Sequence, residues 1–190
     1  ENIAREIGKT GETVKAWFQI LIDTLIGDFI QPYSLNLYPK ETKHDKFYFF
    51  DHGIARASSG IKTIEEVSEK KGFYLESLIL NELKIYKQVK KANFEIYFYN
   101  ISGKGDVDFI IETKKKTLSS PSEFMTLEIK NTKKWDAKFC NLQFDIHNKL
   151  PKRCRRNLAV YRGSQRLTQK GVEIFPLDQF IDFLWKGQLV

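Results

Sequence analysis

The sequence predicts an α+β protein in two parts, residues 1–57 and residues 61–190, and three observations predict it. Helical spacing at the start gives way to two aromatic-rich segments with strand character, Asp28 to Tyr33 and Lys46 to Asp51. Further on, three segments between residues 95 and 130 alternate apolar and polar residues, flanked by helical stripes at 72–86 and 136–147. Charge divides at the same boundary. Residues 1 to 60 carry 7 Lys/Arg against 8 Asp/Glu, whereas residues 61 to 190 carry 24 against 16, so the basicity of a chain with net charge +7 belongs to the second part.

In the first part, Ile3-Ala4-Arg5-Glu6-Ile7 forms a short helix that Gly8-Lys9-Thr10 breaks. Thr10 is a suitable N-cap for a second helix with Val14, Trp17, Leu21 and Leu25 on its apolar face. A small residue at Ala4, a turn glycine at Gly8 and a branched residue at Val14 have the spacing of a helix-turn-helix, and the two strands that follow supply a wing. The expectation for residues 1–57 is a winged helix-turn-helix. Its second helix offers Glu12, Lys15 and Gln19 in a slightly acidic segment, which suits packing or protein contact as well as base readout. Gly8-Lys9-Thr10 also looks like the end of a phosphate-binding loop, but Ile3 stands where that loop needs glycine and no strand precedes it.

Ala57-Ser58-Ser59-Gly60 reads as the linker. After it a helix begins within Glu65 to Lys70 and continues from Gly72 to Tyr86, with Glu76 on its apolar stripe among Phe73, Ile79, Leu80 and Leu83. A carboxylate in that position needs a partner. A Lys or Arg could supply a structural ion pair, or Glu76 could join the acidic residues of the strands that follow.

Those strands carry the chemistry. After Glu95 to Ile101, the turn Gly103-Lys104-Gly105 leads into a strand with Asp106 and Asp108 on one face and Val107, Phe109 and Ile111 on the other. Beyond a basic loop from Lys114 to Ser122, Leu127-Glu128-Ile129-Lys130 places Glu128 and Lys130 on one face. Carboxylates beside an ammonium suit a hard cation such as Mg²⁺, and that grouping suits phosphodiester cleavage; a solvated strand face has the same composition. A helix from Asp136 to His147 turns Phe139, Leu142 and Ile146 inward. The run from Lys149 to Arg156 holds five positive residues and no acidic one, so Lys152, Arg153, Arg155 and Arg156 are candidate phosphate contacts, or a solvated loop. Strands at 157–161 and 172–176 and an amphipathic helix from Leu177 to Trp185 close the chain.

No apolar run approaches the roughly 20 residues of a membrane-spanning helix, and no signal peptide is visible. Cys140 and Cys154 lack metal or redox spacing, so a reducing cytoplasm is the expected compartment. The chain opens directly in a helical pattern, as expected of a piece of something longer. A basic second part attracts polyanions, and DNA is the expected partner.

A helix Glu, a Val-Asp-Phe strand, a Glu-x-Lys strand and a following helix together resemble the PD-(D/E)XK nuclease superfamily, the restriction-endonuclease-like fold. The whole chain resembles the C-terminal region, the domain of unknown function 4143, of a prokaryotic AAA-type ATPase family. The matching stretches are Ile3 to Leu25, Lys46 to Gly53, Gly72 to Glu76, Asp106 to Phe109, Glu128 to Lys130 and Phe175 to Leu177. The resemblance implies a divalent metal, Mg²⁺ or Mn²⁺, held by Asp108 and Glu128 with Glu76 completing its shell. It also implies that Lys130 orients the attacking water, and that Gln143 corresponds to a helix residue used in some branches. The family's ATPase motor lies upstream, so no ATP hydrolysis is expected of this stretch. Val107 stands where the superfamily signature has Pro. Two functions follow: metal-dependent DNA cleavage, or a non-catalytic module that binds nucleic acid or protein for the ATPase.

Overall fold

In the computed structural model, residues 2–60 and 64–190 are described, and they form a mixed α+β structure. Helix α1 (Asn2–Glu6) stops at Gly8, whose φ of 63° is left-handed backbone. Helix α2 (Gly11–Asp23) starts where Thr10 accepts the Thr13 N–H on its hydroxyl at 3.2 Å. A two-stranded antiparallel ribbon follows, β1 (Gly27–Ile30) with β2 (Lys46–Phe49). Gly27 is required there, because a Cβ would lie 2.6 Å from the Tyr48 carbonyl oxygen and run into the Phe47 ring.

Three features of this part differ from the sequence expectation. Helix α2 buries no residue fully; Trp17 and Ile20 remain about half exposed, and Phe18 alone makes an aromatic cluster with Phe29 and Phe47. A further helix, α3 (His52–Ser58), occupies part of the expected linker, started by Asp51 accepting the Ile54 N–H at 3.0 Å. The ribbon is not insulated from the second part: Ile30 and Tyr48 belong to the same core cluster as Leu80, Phe109 and Leu127. The expected start of the second part, residue 61, lies outside the described residues.

Helix α4 (Ile64–Lys90) supplies the longest apolar stripe, with Leu75, Ile79, Leu80, Leu83 and Tyr86 buried at helical spacing. It packs on a six-stranded sheet in the order β3-β4-β5-β6-β8-β7. Strands β3 (Glu95–Ile101), β4 (Gly105–Lys114) and β5 (Glu123–Lys130) form an antiparallel meander. A 3₁₀ turn (Ala137–Cys140) and helix α5 (Asn141–Lys149) then cross over to β6 (Cys154–Tyr161), which runs parallel to β5. The short β7 (Leu167–Gln169) reverses into β8 (Val172–Pro176), parallel to β6, and α6 (Leu177–Trp185) ends the fold.

Residues 31–42 run beside β3, where Tyr33 donates its N–H to the Phe98 carbonyl at 2.7 Å and Thr42 donates to Asn100 at 2.9 Å, so that edge is covered. No helix among the described residues is long and apolar enough to cross a membrane.

Candidate functional site

The candidate site forms where β4 begins and β5 ends, and a bulge creates it. Tyr97 pairs with Ile110 while Tyr99 pairs with Val107, so two residues of β4, Asp108 and Phe109, lie opposite one of β3, Phe98. Alternation is broken there. Val107 and Ile110 face one core cluster, whereas Phe109 and Ile111 face the other. This corrects the expectation that Val107, Phe109 and Ile111 share a face.

The paired ladder between β4 and β5 ends at Phe109 with Leu127, and beyond it a side chain replaces the backbone acceptor. The Ile129 N–H donates to Asp108 Oδ2 at 2.6 Å, fixing that carboxylate in a buried position with 4% exposure. Asp106, two residues earlier, remains exposed.

On β5, Met125, Leu127 and Ile129 enter the core beneath α4, so Thr126 and Glu128 point to the opposite face. Glu128 is buried and ion-paired with Lys130, whose ammonium also lies 5.8 Å from the Phe139 ring centroid. Glu76 comes from α4, on the other side of the sheet. Its Oε2 accepts from Lys46 Nζ at 2.9 Å and from the Tyr48 hydroxyl at 3.2 Å. Thus the structural ion pair weighed for Glu76 exists, and its partner comes from the β1–β2 ribbon.

The electrostatics tie these groups together. Burial pushes the Asp108 carboxyl well above the usual carboxylate range, and the charges of Glu128 and Glu76 push it further, against Lys130 and the Ile129 N–H. Burial also lifts Glu128 to about 7, although Lys130 pulls the other way. Desolvation works against the Lys130 charge, but Glu128, Asp108 and Asp106 outweigh it and raise the ammonium pKa. Lys46 behaves alike, with Tyr48 and Glu76 overcoming its burial. Burial raises the Tyr48 phenol, and Asp108 contributes to the same shift.

Asp108 therefore feels Glu128 and Lys130 from the neighbouring strand and Glu76 from α4, while Glu76 itself is held by Lys46 and Tyr48. Among the described residues, no group of three His, Cys, Asp or Glu side chains stands ready around one metal position. The hard oxygen donors of Asp108 and Glu128, with the Lys130 ammonium paired to Glu128, fit Mg²⁺ or Mn²⁺ by their chemistry. Sequence reasoning missed Lys46 and Tyr48; the signal was their alternation in Lys46-Phe47-Tyr48-Phe49, which puts both on one face of β2.

The remaining candidates lie elsewhere. Gln143 is fully buried and donates its amide protons to Thr126 Oγ1 at 2.9 Å and the Leu158 carbonyl at 2.8 Å, binding α5 to the sheet. Lys152 is exposed in the turn before β6. Arg153 donates to Ser122 Oγ at 2.8 Å, Arg155 pairs with Glu123 at 3.1 Å, and Arg156 pairs with Glu173 at 2.9 Å. Because β5 and β6 are parallel, this basic run sits at the Phe124 end, four residues or roughly 13 Å along the strand from Glu128. A groove of about 490 Å³ lies between the ribbon and α4, lined by Leu25, Phe49, Phe50 and Leu80 among others, and Asp28 is the one acidic residue among the described residues of its lining. Chemistry rather than volume locates the candidate site.

A mixed sheet with buried acids and a lysine at one end, covered by a long helix, defines an α+β domain with an ionisable site. The family described as Domain of unknown function (DUF4143) matches residues 71–180, and the chain belongs to it. A second family, described as Domain of unknown function (DUF8612), matches residues 1–65. No curated protein and no solved structure matches the chain.

Proposed function

We propose that residues 61–190 are a nuclease-like domain of the PD-(D/E)XK type, cleaving DNA phosphodiesters with Mg²⁺ or Mn²⁺. We place it in a longer AAA-type ATPase and take residues 1–57 for a winged helix. The observation that carries the reading is the burial of Asp108 and Glu128 on adjacent strands, with Asp108 held by the Ile129 N–H and Glu128 paired with Lys130. Asp108 and Glu128 would hold the cation, which supplies Lewis-acid polarisation of the phosphate. The Lys130 ammonium offers a donor for water or for charge developing on phosphate oxygens. Glu76 acts through its Lys46 and Tyr48 contacts, balancing charge beside Asp108.

The test is nicking of supercoiled plasmid by the purified chain with Mn²⁺ or Mg²⁺. Nicking should appear with either cation, vanish in EDTA, and fall at least about a hundredfold in Asp108→Asn, the scale on which removal of a charge-stabilising group acts. Cation-independent nicking, or an Asp108→Asn variant as active as wild type, would refute it. One observation favours the alternative of a non-catalytic binding module: Glu76 is already engaged by Lys46, and Glu128 by Lys130. Under that reading DNA or protein binding persists in EDTA and no nicking occurs.

A further inference from the structure

We infer that the polyanion-docking surface of this protein is the loop after β5, presenting Lys133 and Lys134 beside Lys138 and Arg162, and that it receives the phosphate backbone of duplex DNA. The choice of DNA rests on the proposed function; the location rests on geometry. Lys130 ends β5 at the candidate site, and the chain turns there. Thr132 donates its N–H to the Lys130 carbonyl at 2.8 Å, and its hydroxyl accepts the Lys134 N–H at 3.2 Å while donating to the Lys134 carbonyl at 2.9 Å. Arg162, just past the end of β6, donates its N–H to the Thr132 carbonyl at 2.9 Å. The loop is thus pinned to two strand ends, and its basic side chains project from a fixed frame.

Lys133 and Lys134 are exposed, and neither has a carboxylate partner among the described residues. Lys138 is exposed and pairs with Asp136 at 3.1 Å, and Arg162 contacts Asn131 at 3.2 Å. The contrast with the other basic run is direct. Arg155 and Arg156 are committed to Glu123 and Glu173, and they lie at the opposite end of the strands from Glu128. Unpartnered ammoniums next to the acidic site can neutralise phosphates flanking a strand held there; at the far end Lys152 is also exposed and without a carboxylate partner among the described residues, but it lies away from Glu128, and Arg155 and Arg156 would first have to give up their carboxylates.

The experiment measures binding of a fluorescent duplex DNA to the whole chain in EDTA, across a salt series. Lys133→Gln/Lys134→Gln should weaken binding about tenfold and lower the slope of log affinity against log salt by about 2, one for each lost phosphate contact. Lys152→Gln/Arg155→Gln should stay within about twofold of wild type, with thermal melting confirming that both variants fold. The reverse pattern, no change in either variant, no salt-dependent binding by wild type, or equal competition by poly-glutamate of similar length would overturn the inference. Because EDTA removes cleavage, the two claims separate. Loss of binding in the loop variant without metal-dependent nicking by wild type upholds the surface while the cleavage reading falls; nicking with unaltered binding in the loop variant overturns the surface alone.

Discussion

A carboxylate withdrawn from water holds its proton more tightly, and Glu128 does so despite an ammonium in contact with it. The sign of the consequence follows from linkage. With a folded pKa raised to about 7 from 4.5, the native state binds more protons than the unfolded chain between those values, so Glu128 makes the fold less stable as pH rises through that window. In EDTA, the stability of Glu128→Gln relative to wild type should therefore improve from about pH 5 to about pH 8, by a few kcal/mol at most. The Lys130 ion pair forms only as Glu128 ionises, and its pull is already contained in the folded pKa of about 7. Urea melts at several pH values check this, and a flat difference would show that Glu128 is not held in a desolvated state. The acidic character of Asp108 and Glu128 was legible in the sequence. Their burial was not, because it depends on what the neighbouring elements bring.

At the level of elements, two features shape the site and only one left a trace in the sequence. The β4 bulge is a pairing mismatch with β3, and the strict alternation of Asp106 and Asp108 with Val107 and Phe109 gives no sign of it. Glu76 was different: a carboxylate on the apolar stripe of α4 announced that a partner was needed. That partner is Lys46, thirty residues away on β2, a separation that no local pattern spans. The pairing makes a double-mutant cycle informative. Lys46→Met and Glu76→Gln should each destabilise the protein, and the double variant should lose less than the two combined by more than about 0.5 kcal/mol. Thermal melts of the four proteins measure it; additivity would mean that the ribbon and α4 do not communicate through this pair. Helix α6 and strand β3 matched their expected bounds because their apolar periodicity is uninterrupted, whereas α3 hid inside a small-residue segment that reads as a linker.

Across the whole molecule, topology decides which charges meet. The run from Lys149 to Arg156 reads in the sequence as candidate phosphate contacts or a solvated loop, and the parallel pairing of β5 with β6 carries it to the end of the sheet away from Glu128. Charge and composition suggested two parts, but the core they share was not legible: Ile30 and Tyr48 of the ribbon fill the same cluster as α4, β4 and β5. The acidic site therefore draws on both parts of the chain, with Lys46 and Tyr48 supporting Glu76 from one and Asp108, Glu128 and Lys130 coming from the other. The central claim is that this end of the sheet is built to accept a divalent cation. Calorimetric titration of Mn²⁺ into the whole chain tests it most directly: the account predicts saturable binding of one cation with release of protons, lost in Asp108→Asn/Glu128→Gln, and a wild-type protein that takes up no Mn²⁺, or a double variant that takes it up equally well, would contradict it.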